Sequence, residues 1–306
     1  MNPPDSPLLR LENLSLRVPD LEQSIDWYRD IVGLAEVARG ENRIYLGVGD
    51  KPTWDLCLVE EAVDKGGTVL EYFSASVDDE RVLAQVADRL RAADVEVTAL
   101  SDVPPLTLAG IEFSLPGGFR MRAVVPAERS NYVLMGQKYL DADNLLRELH
   151  HINLAASDLE GLERFLVDNL DFAVSDHCLI GEGGPLSFAF WRINENHHDL
   201  AAVINNKDGL FHFAFGVPGV GQLVSIADRF ASRNMRIVEN GIGRHGAGNN
   251  LYLYVRDPSG NIVEFSADNP RITDRAAPTR IWTDPDLSGN MWGNIQPPHS
   301  FLETAT

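Results

Sequence analysis

The 306-residue chain has no histidine in its first 149 residues; all eight lie at positions 150, 151, 177, 197, 198, 212, 245 and 299. Any imidazole chemistry therefore belongs to the second half. Cysteine is nearly absent as well. Cys57 and Cys178 lie far apart with no CxxC pattern, which excludes a disulfide framework and fits a reducing cytoplasm. No uninterrupted apolar run approaches the roughly 18 to 20 residues that span a bilayer. The opening MNPPDSPLLRLENL lacks the basic start and apolar centre of a secretory signal, so a chain without leader or membrane anchor is expected. Positive charge is scarce: 26 Lys and Arg against 45 Asp and Glu leave a net charge of −19, which argues against nucleic acid or an anionic membrane as the main partner. What remains, 44% hydrophobic and 23% charged, is the composition of a soluble globular protein with one large or two ordinary domains.

The chain also repeats itself. NLSLRVPDLEQSIDWYRDIVGL, from Asn13 to Leu34, aligns without gaps on HINLAASDLEGLERFLVDNLDF, from His151 to Phe172. Each reads as a short strand, an Asp-Leu-Glu helix start and an amphipathic helix. In the second copy Ser157 and Glu160 have capping-box spacing, and Leu159, Leu162, Phe165 and Leu166 form the apolar stripe. YFSASVDDERVLAQVADRL, from Tyr72, overlies HFAFGVPGVGQLVSIADRF, from His212, and alternating segments such as NRIYLGVG and IEFSLPGGFRMRAVV follow the helices as strands. The pattern predicts an α+β protein of four strand–helix–strands modules grouped two and two. Residues from about 126 to 147 join the halves, and a Pro-, Asp- and Trp-rich tail follows residue 270 or so.

The repeat serves as an internal control. His151 aligns with Asn13 and His212 with Tyr72, while opposite Glu264 the strand FRMRAVV offers Ala123 or Val124. Strand alternation puts His151 with Asn153 and Ala155, His212 with Ala214 and Gly216, and Glu264 with Ile262 and Ser266. By the same parity His150 and Phe211 face the other way. An ionised Glu264 between Val263 and Phe265 is costly to bury unless a cation holds it. Two histidines and a carboxylate on three strands form a facial triad, the usual ligand set of non-haem Fe(II) oxygenases.

Gly243-Arg244-His245, seven residues, Leu253-Tyr254, two residues, Asp257-Pro258-Ser259-Gly260, three residues and Glu264 resemble the signature of type I extradiol ring-cleaving dioxygenases of the vicinal oxygen chelate superfamily. That resemblance implies four βαβββ modules paired into two domains, each a curved mixed sheet forming an open barrel with helices outside. Residues 1–130 would be an N-terminal domain without a metal site, 131–270 the catalytic domain and 271–306 a tail that is a candidate active-site lid. The resemblance implies that His151, His212 and Glu264 bind Fe(II), with Mn(II) equally compatible. In WRINENHHDL, His198 followed by Asp199 is similar to the acid–base histidine of the homoprotocatechuate 2,3-dioxygenase branch, with His197 the competing neighbour. His245 and Tyr254 match groups that contact a bound catecholate. Asn153 and, across a one-residue gap, Trp191 resemble further pocket residues, and MWGNIQPP resembles a segment that covers the pocket. The function implied is cleavage of a small aromatic diol by O2 to a 2-hydroxymuconic-semialdehyde-type product, in a cytoplasmic homo-oligomer.

Other histidines have weaker patterns. His177 beside Cys178 has no partner at metal spacing and reads as structural, and His299 follows two prolines near the end. GEGGP (181–185) and RHGAG (244–248) lack the strand-to-helix context of a phosphate loop. Two further functions share this scaffold: a 4-hydroxyphenylpyruvate dioxygenase-like 2-oxo acid oxygenase, and a metal-free protein that binds aromatic molecules. The extradiol signature argues against the first and the intact ligand set against the second.

Overall fold

The computed structural model describes residues 6–48, 53–61, 69–128, 146–235 and 240–293. Four βαβββ modules follow one another. The first is β1 (Leu8–Val18), α1 (Leu21–Asp26), β2 (Ala35–Arg39), β3 (Arg43–Gly47) and β4 (Leu56–Glu60); the second is β5 (Leu70–Val77), α2 (Glu80–Ala92), β6 (Thr98–Ala99), β7 (Thr107–Ser114) and β8 (Arg120–Pro126). The third is β9 (Glu148–Ala156), α3 (Leu159–Leu170), β10 (Ala173–Leu179), β11 (Leu186–Arg192) and β12 (Leu200–Ile204); the fourth is β13 (Gly209–Gly216), α4 (Val220–Ser232), β14 (Asn240–Arg244), β15 (Leu251–Arg256) and β16 (Ile262–Ala267). The tail adds β17 (Arg280–Trp282) and a short α5 (Pro285–Gly289).

The modules pair into two open mixed sheets, ordered β2-β3-β4-β1-β5-β8-β7-β6 and β14-β15-β16-β13-β9-β12-β11-β10-β17. In each, two antiparallel central strands (β1 with β5, β9 with β13) are flanked by parallel partners (β4 and β8, β12 and β16). The chain is thus α+β with duplicated topology, as the internal repeat requires.

Helix starts follow from local chemistry. Asp20, Asp79 and Asp158 each accept the backbone N–H three residues on, satisfying a donor that the first turn leaves unpaired. Asp158, not Ser157, therefore caps α3; Ser157 instead donates its hydroxyl to Asp208. Leu159, Leu162, Leu166 and Leu170 form the buried stripe of α3, with Phe165 packed at its margin. After α1 the chain widens into a π-helical turn, Trp27–Val32, which buries adjacent Trp27 and Tyr28 together. The Tyr28 hydroxyl donates to Asp257 at 2.8 Å, tying the first half to the DPSG turn of the second. That turn is held by Asp257, which also accepts from the backbone of Ser259 and Asn261, and by Gly260 at φ 89°.

Candidate metal centre

Three neighbouring strands, β9, β13 and β16, carry the metal-type side chains. Ala214 on β13 pairs with His151 on one side and Glu264 on the other, and His212 stands two residues along. Cross-strand neighbours and i, i+2 positions on one face lie close enough for their side chains to meet. The methyl of Ala214 leaves the space between them open. His151 Nε2 and His212 Nε2 both lie 3.1 Å from Glu264 Oε2, and all three residues are buried, Glu264 to 1% exposure. Ligand atoms about 2.1 Å from one ion and at right angles to each other stand about 3.0 Å apart, so the set fits a divalent metal. Among the described residues this is the one cluster whose donor atoms converge in this way. Burial alone would raise the Glu264 carboxyl, but the two imidazoles outweigh it and hold it well below its usual range. Burial lowers His212 to about 4, which keeps the ring neutral and able to ligate near pH 7.

The other Glu264 oxygen is held too. Asn250 Nδ2 donates to Oε1 at 3.1 Å and to Ser266 Oγ at 2.9 Å, and Ser266 in turn donates to Asn269. Sequence reasoning missed Asn250; its only signal is its place just ahead of β15, whose residues pair with β16.

The cavity above the cluster, about 380 Å³, is walled by His151, Asn153, His198, His212, His245, Tyr254 and Glu264 among others. Asn153 Oδ1 is buried with no hydrogen-bond partner among the described residues. His245 Nδ1 lies 2.6 Å from the Gly289 carbonyl, so that nitrogen carries the proton. His245 Nε2 then accepts from the Tyr254 hydroxyl at 3.0 Å. Burial raises the Tyr254 phenol well above its ordinary value and keeps it protonated.

His198 rather than His197 lines the cavity. Behind it runs a buried chain. His197 Nε2 lies 3.2 Å from Asp176 Oδ1, and His197 Nδ1 lies 3.0 Å from His198 Nδ1. Asp176 is also held by the Trp282 indole at 2.7 Å, and its carboxyl sits below the ordinary range, burial being outweighed by these donors. With neutral rings, Asp176 places the His197 proton on Nε2, His197 Nδ1 accepts from His198 Nδ1–H, and His198 Nε2 is left with a lone pair. Burial, reinforced by nearby His151, His197 and His150, holds His198 well below its usual pKa. Asp199, next in sequence, accepts from the backbone of Ile193 at 2.7 Å and from Asn196 at 3.2 Å, bracing the loop that presents His198.

Four sequence expectations need correction. Strand parity fails at His150, because the register steps from Ala214↔His151 to Phe215↔Leu149 and leaves His150 as the extra residue of a β-bulge. Its Nδ1 sits 2.9 Å from His151 Nδ1, so it braces the His151 ring instead of facing away. A second bulge, between His212↔Asn153 and Leu210↔Leu154, turns Phe211 into the cavity. Trp191 is not brought to the cavity: it is fully buried, its indole donates to Glu163 at 2.8 Å, and Phe190 and Phe188 line the wall instead. In the first sheet Ser74 pairs with Arg122 as Ala214 pairs with Glu264, so the counterpart of Glu264 is Arg122, not Ala123 or Val124. Its guanidinium lies 3.4 Å over the ring of Tyr72 and bonds Glu112 at 2.7 Å. A fixed cation, unable to ligate, stands where the second sheet gathers its donors.

The structural role read for His177 agrees with its 2.7 Å contact to Glu163. His299 and the end of MWGNIQPP lie outside the described residues. Ser288, Gly289 and Asn290 from the tail line the cavity, while Trp292 is exposed beside Arg244.

Duplicated βαβββ modules around a buried two-histidine, one-carboxylate cluster define a metal-site scaffold of the vicinal oxygen chelate type. The profile of the Glyoxalase/Bleomycin resistance protein/Dioxygenase superfamily matches residues 10–120 and 148–265, and the chain belongs to that superfamily. A manganese-dependent 2,3-dihydroxybiphenyl 1,2-dioxygenase from Geobacillus genomosp. 3 is 24% identical over 300 residues, covering 93% of each chain. An iron-dependent extradiol dioxygenase from Rhodococcus jostii strain RHA1 is 26% identical over 227 residues, 69% of this chain and 73% of the relative. Homoprotocatechuate 2,3-dioxygenase from Brevibacterium fuscum, solved with 3,4-dihydroxyphenylacetate, has the same fold: TM-score 0.87 at 24% identity, covering 99% of this chain and 94% of that one.

Proposed function

We propose that this protein is an extradiol dioxygenase, which opens a catechol ring with O2 at an Fe(II) or Mn(II) ion held by His151, His212 and Glu264. One observation carries the reading: a buried, metal-ready triad forms the floor of a cavity whose walls present a neutral imidazole, His198, and the linked pair His245 and Tyr254. Relatives named for both metals support either ion.

The bound ion supplies Lewis acidity and electron transfer between the diol and dioxygen. The chain's own groups handle protons and position. His198 Nε2, its lone pair set by the Asp176–His197 chain, takes a proton from a substrate hydroxyl and returns it as the ring opens. Tyr254, fixed by His245, and the unpartnered Asn153 Oδ1 hold the substrate oxygens. Ser288, Gly289 and Asn290 cover the site and limit water access, which makes the tail a lid. Both atoms of O2 enter the product, so no external reductant is required. In this reading the enzyme works in a reducing cytoplasm, where the buried thiols Cys57 and Cys178 stay free, and it assembles as a homo-oligomer.

The test is mass spectrometry of products from metal-loaded protein and a panel of catechols. A ring-opened product equal to substrate plus two oxygen atoms is expected. If no catechol of any size yields one with either metal, the reading is wrong.

A further inference from the structure

The metal end of the cavity is polar, but the rest is not. Leu179, Phe188, Phe190, Val203, Ile204 and Phe211 form an apolar wall. Phe188 and Phe190 are stacked with centroids 4.7 Å apart, and Phe190 meets the His198 ring edge-on at 5.2 Å. Among the described residues no lysine or arginine lines the cavity, and its two carboxylates are Glu264 and Asp286. The arginines nearest in sequence are engaged elsewhere. Arg244 pairs with Asp268 at 2.8 Å and with the Asn249 carbonyl, Arg280 lies over the Trp282 ring at 4.1 Å, and Arg192 bonds Ser175 and the Val174 carbonyl.

Size points the same way. An apolar cavity of about 150 Å³ is enough for benzene, and this one is about 380 Å³. A single catechol ring over the metal leaves more than half of that volume, along the apolar wall, unfilled. A carboxylate arm laid on that wall would find no cation among the described lining residues, and Asp286 adds a second negative charge to the lining.

We infer that this site, on the dioxygenase reading above, takes an uncharged catechol bearing a second ring or a hydrocarbon group of similar bulk, and rejects catechols with a carboxylate side arm. The wall formed by β11, β12 and Phe211 is the specificity element. This sets the protein apart from the structural relative solved with 3,4-dihydroxyphenylacetate, whose fold it shares.

The experiment measures binding of two phenols that lack the second hydroxyl, 2-hydroxybiphenyl and 4-hydroxyphenylacetate, to the full metal-loaded protein by calorimetry, alongside kcat/KM for 2,3-dihydroxybiphenyl and 3,4-dihydroxyphenylacetate. The uncharged member of each pair should be favoured by about 100-fold, the scale of covering a second apolar ring with the wall while the carboxylate gains no partner. Ile204→Arg, at a wall position 41% exposed and so tolerant of change, should cut that preference at least about tenfold by giving the carboxylate a partner. Equal or tighter binding of 4-hydroxyphenylacetate, binding of neither phenol, or an unchanged preference in Ile204→Arg overturns the inference. Selective binding of 2-hydroxybiphenyl with no catechol turned over would uphold the pocket's selectivity and refute the dioxygenase reading instead.

Discussion

Replacing Asn250 with alanine should weaken metal binding without removing a ligand. The Asn250 amide is the donor on Glu264 Oε1, at 3.1 Å, and Glu264 is 1% exposed, so water is poorly placed to substitute. A hydrogen bond to a charged acceptor contributes about 1.5 to 3 kcal/mol, which converts to about 10- to 150-fold in an equilibrium constant. Loss of groups that orient metal ligands typically costs about 10- to 100-fold in affinity, so the two routes agree. Titration of metal-free protein with Fe(II) or Mn(II) against a chelating dye should show that drop, with kcat near the parental value once metal saturates. Ser266 keeps Asn269 as a partner, which limits damage to the fold. Asn250→Asp should be worse, because it sets a second carboxylate against Glu264. Parental metal affinity in Asn250→Ala, or lost turnover with metal fully bound, would refute this reasoning.

Glu264→Ala should lose metal, whereas His198→Phe should retain it and lose turnover; metal analysis and activity together separate the roles, and equal metal loss in both would overturn the assignments. Asp176→Asn weakens the contact that places the His197 proton and should lower kcat about tenfold or more, within the range that general acid–base catalysis supplies, with metal content unchanged. An unaltered kcat would remove Asp176 from the mechanism. Metal-free protein should lose stability in acid: His212 and His150 are lowered to about 4 and about 3 by burial, so below about 6.5 the unfolded chain binds protons first. The stability is complete above about pH 6.5 and declines toward pH 4, by about 3 kcal/mol for His212 alone. Melts at pH 7 and pH 4.5 with the same midpoint would contradict the buried neutral state.

The fold was legible because a duplicated chain carries its own alignment: histidines present in one copy and absent from the other mark both the modules and the cluster that the strands bring together. Legibility stopped where period-two counting stopped. The bulges at His150 and Phe211 each insert one residue, and each reverses the face that parity assigns. Trp191 and Phe190 differ by one position, so an alignment gap of one residue chose the core over the cavity wall. The counterpart of Glu264 was missed in the same way, Arg122 lying one residue before Ala123. Asn250, Asp176 and Trp282 left no local signal, because their partners are 14 to 106 residues away and are met only across strands.

The most direct measurement is oxygen uptake by Fe(II)- or Mn(II)-loaded protein given 2,3-dihydroxybiphenyl without any reductant. One O2 consumed per yellow ring-opened product, abolished in Glu264→Ala and His198→Phe, is the expected result. Oxygen uptake that needs a reductant, or none with this and smaller uncharged catechols, would contradict extradiol cleavage at the His151–His212–Glu264 site.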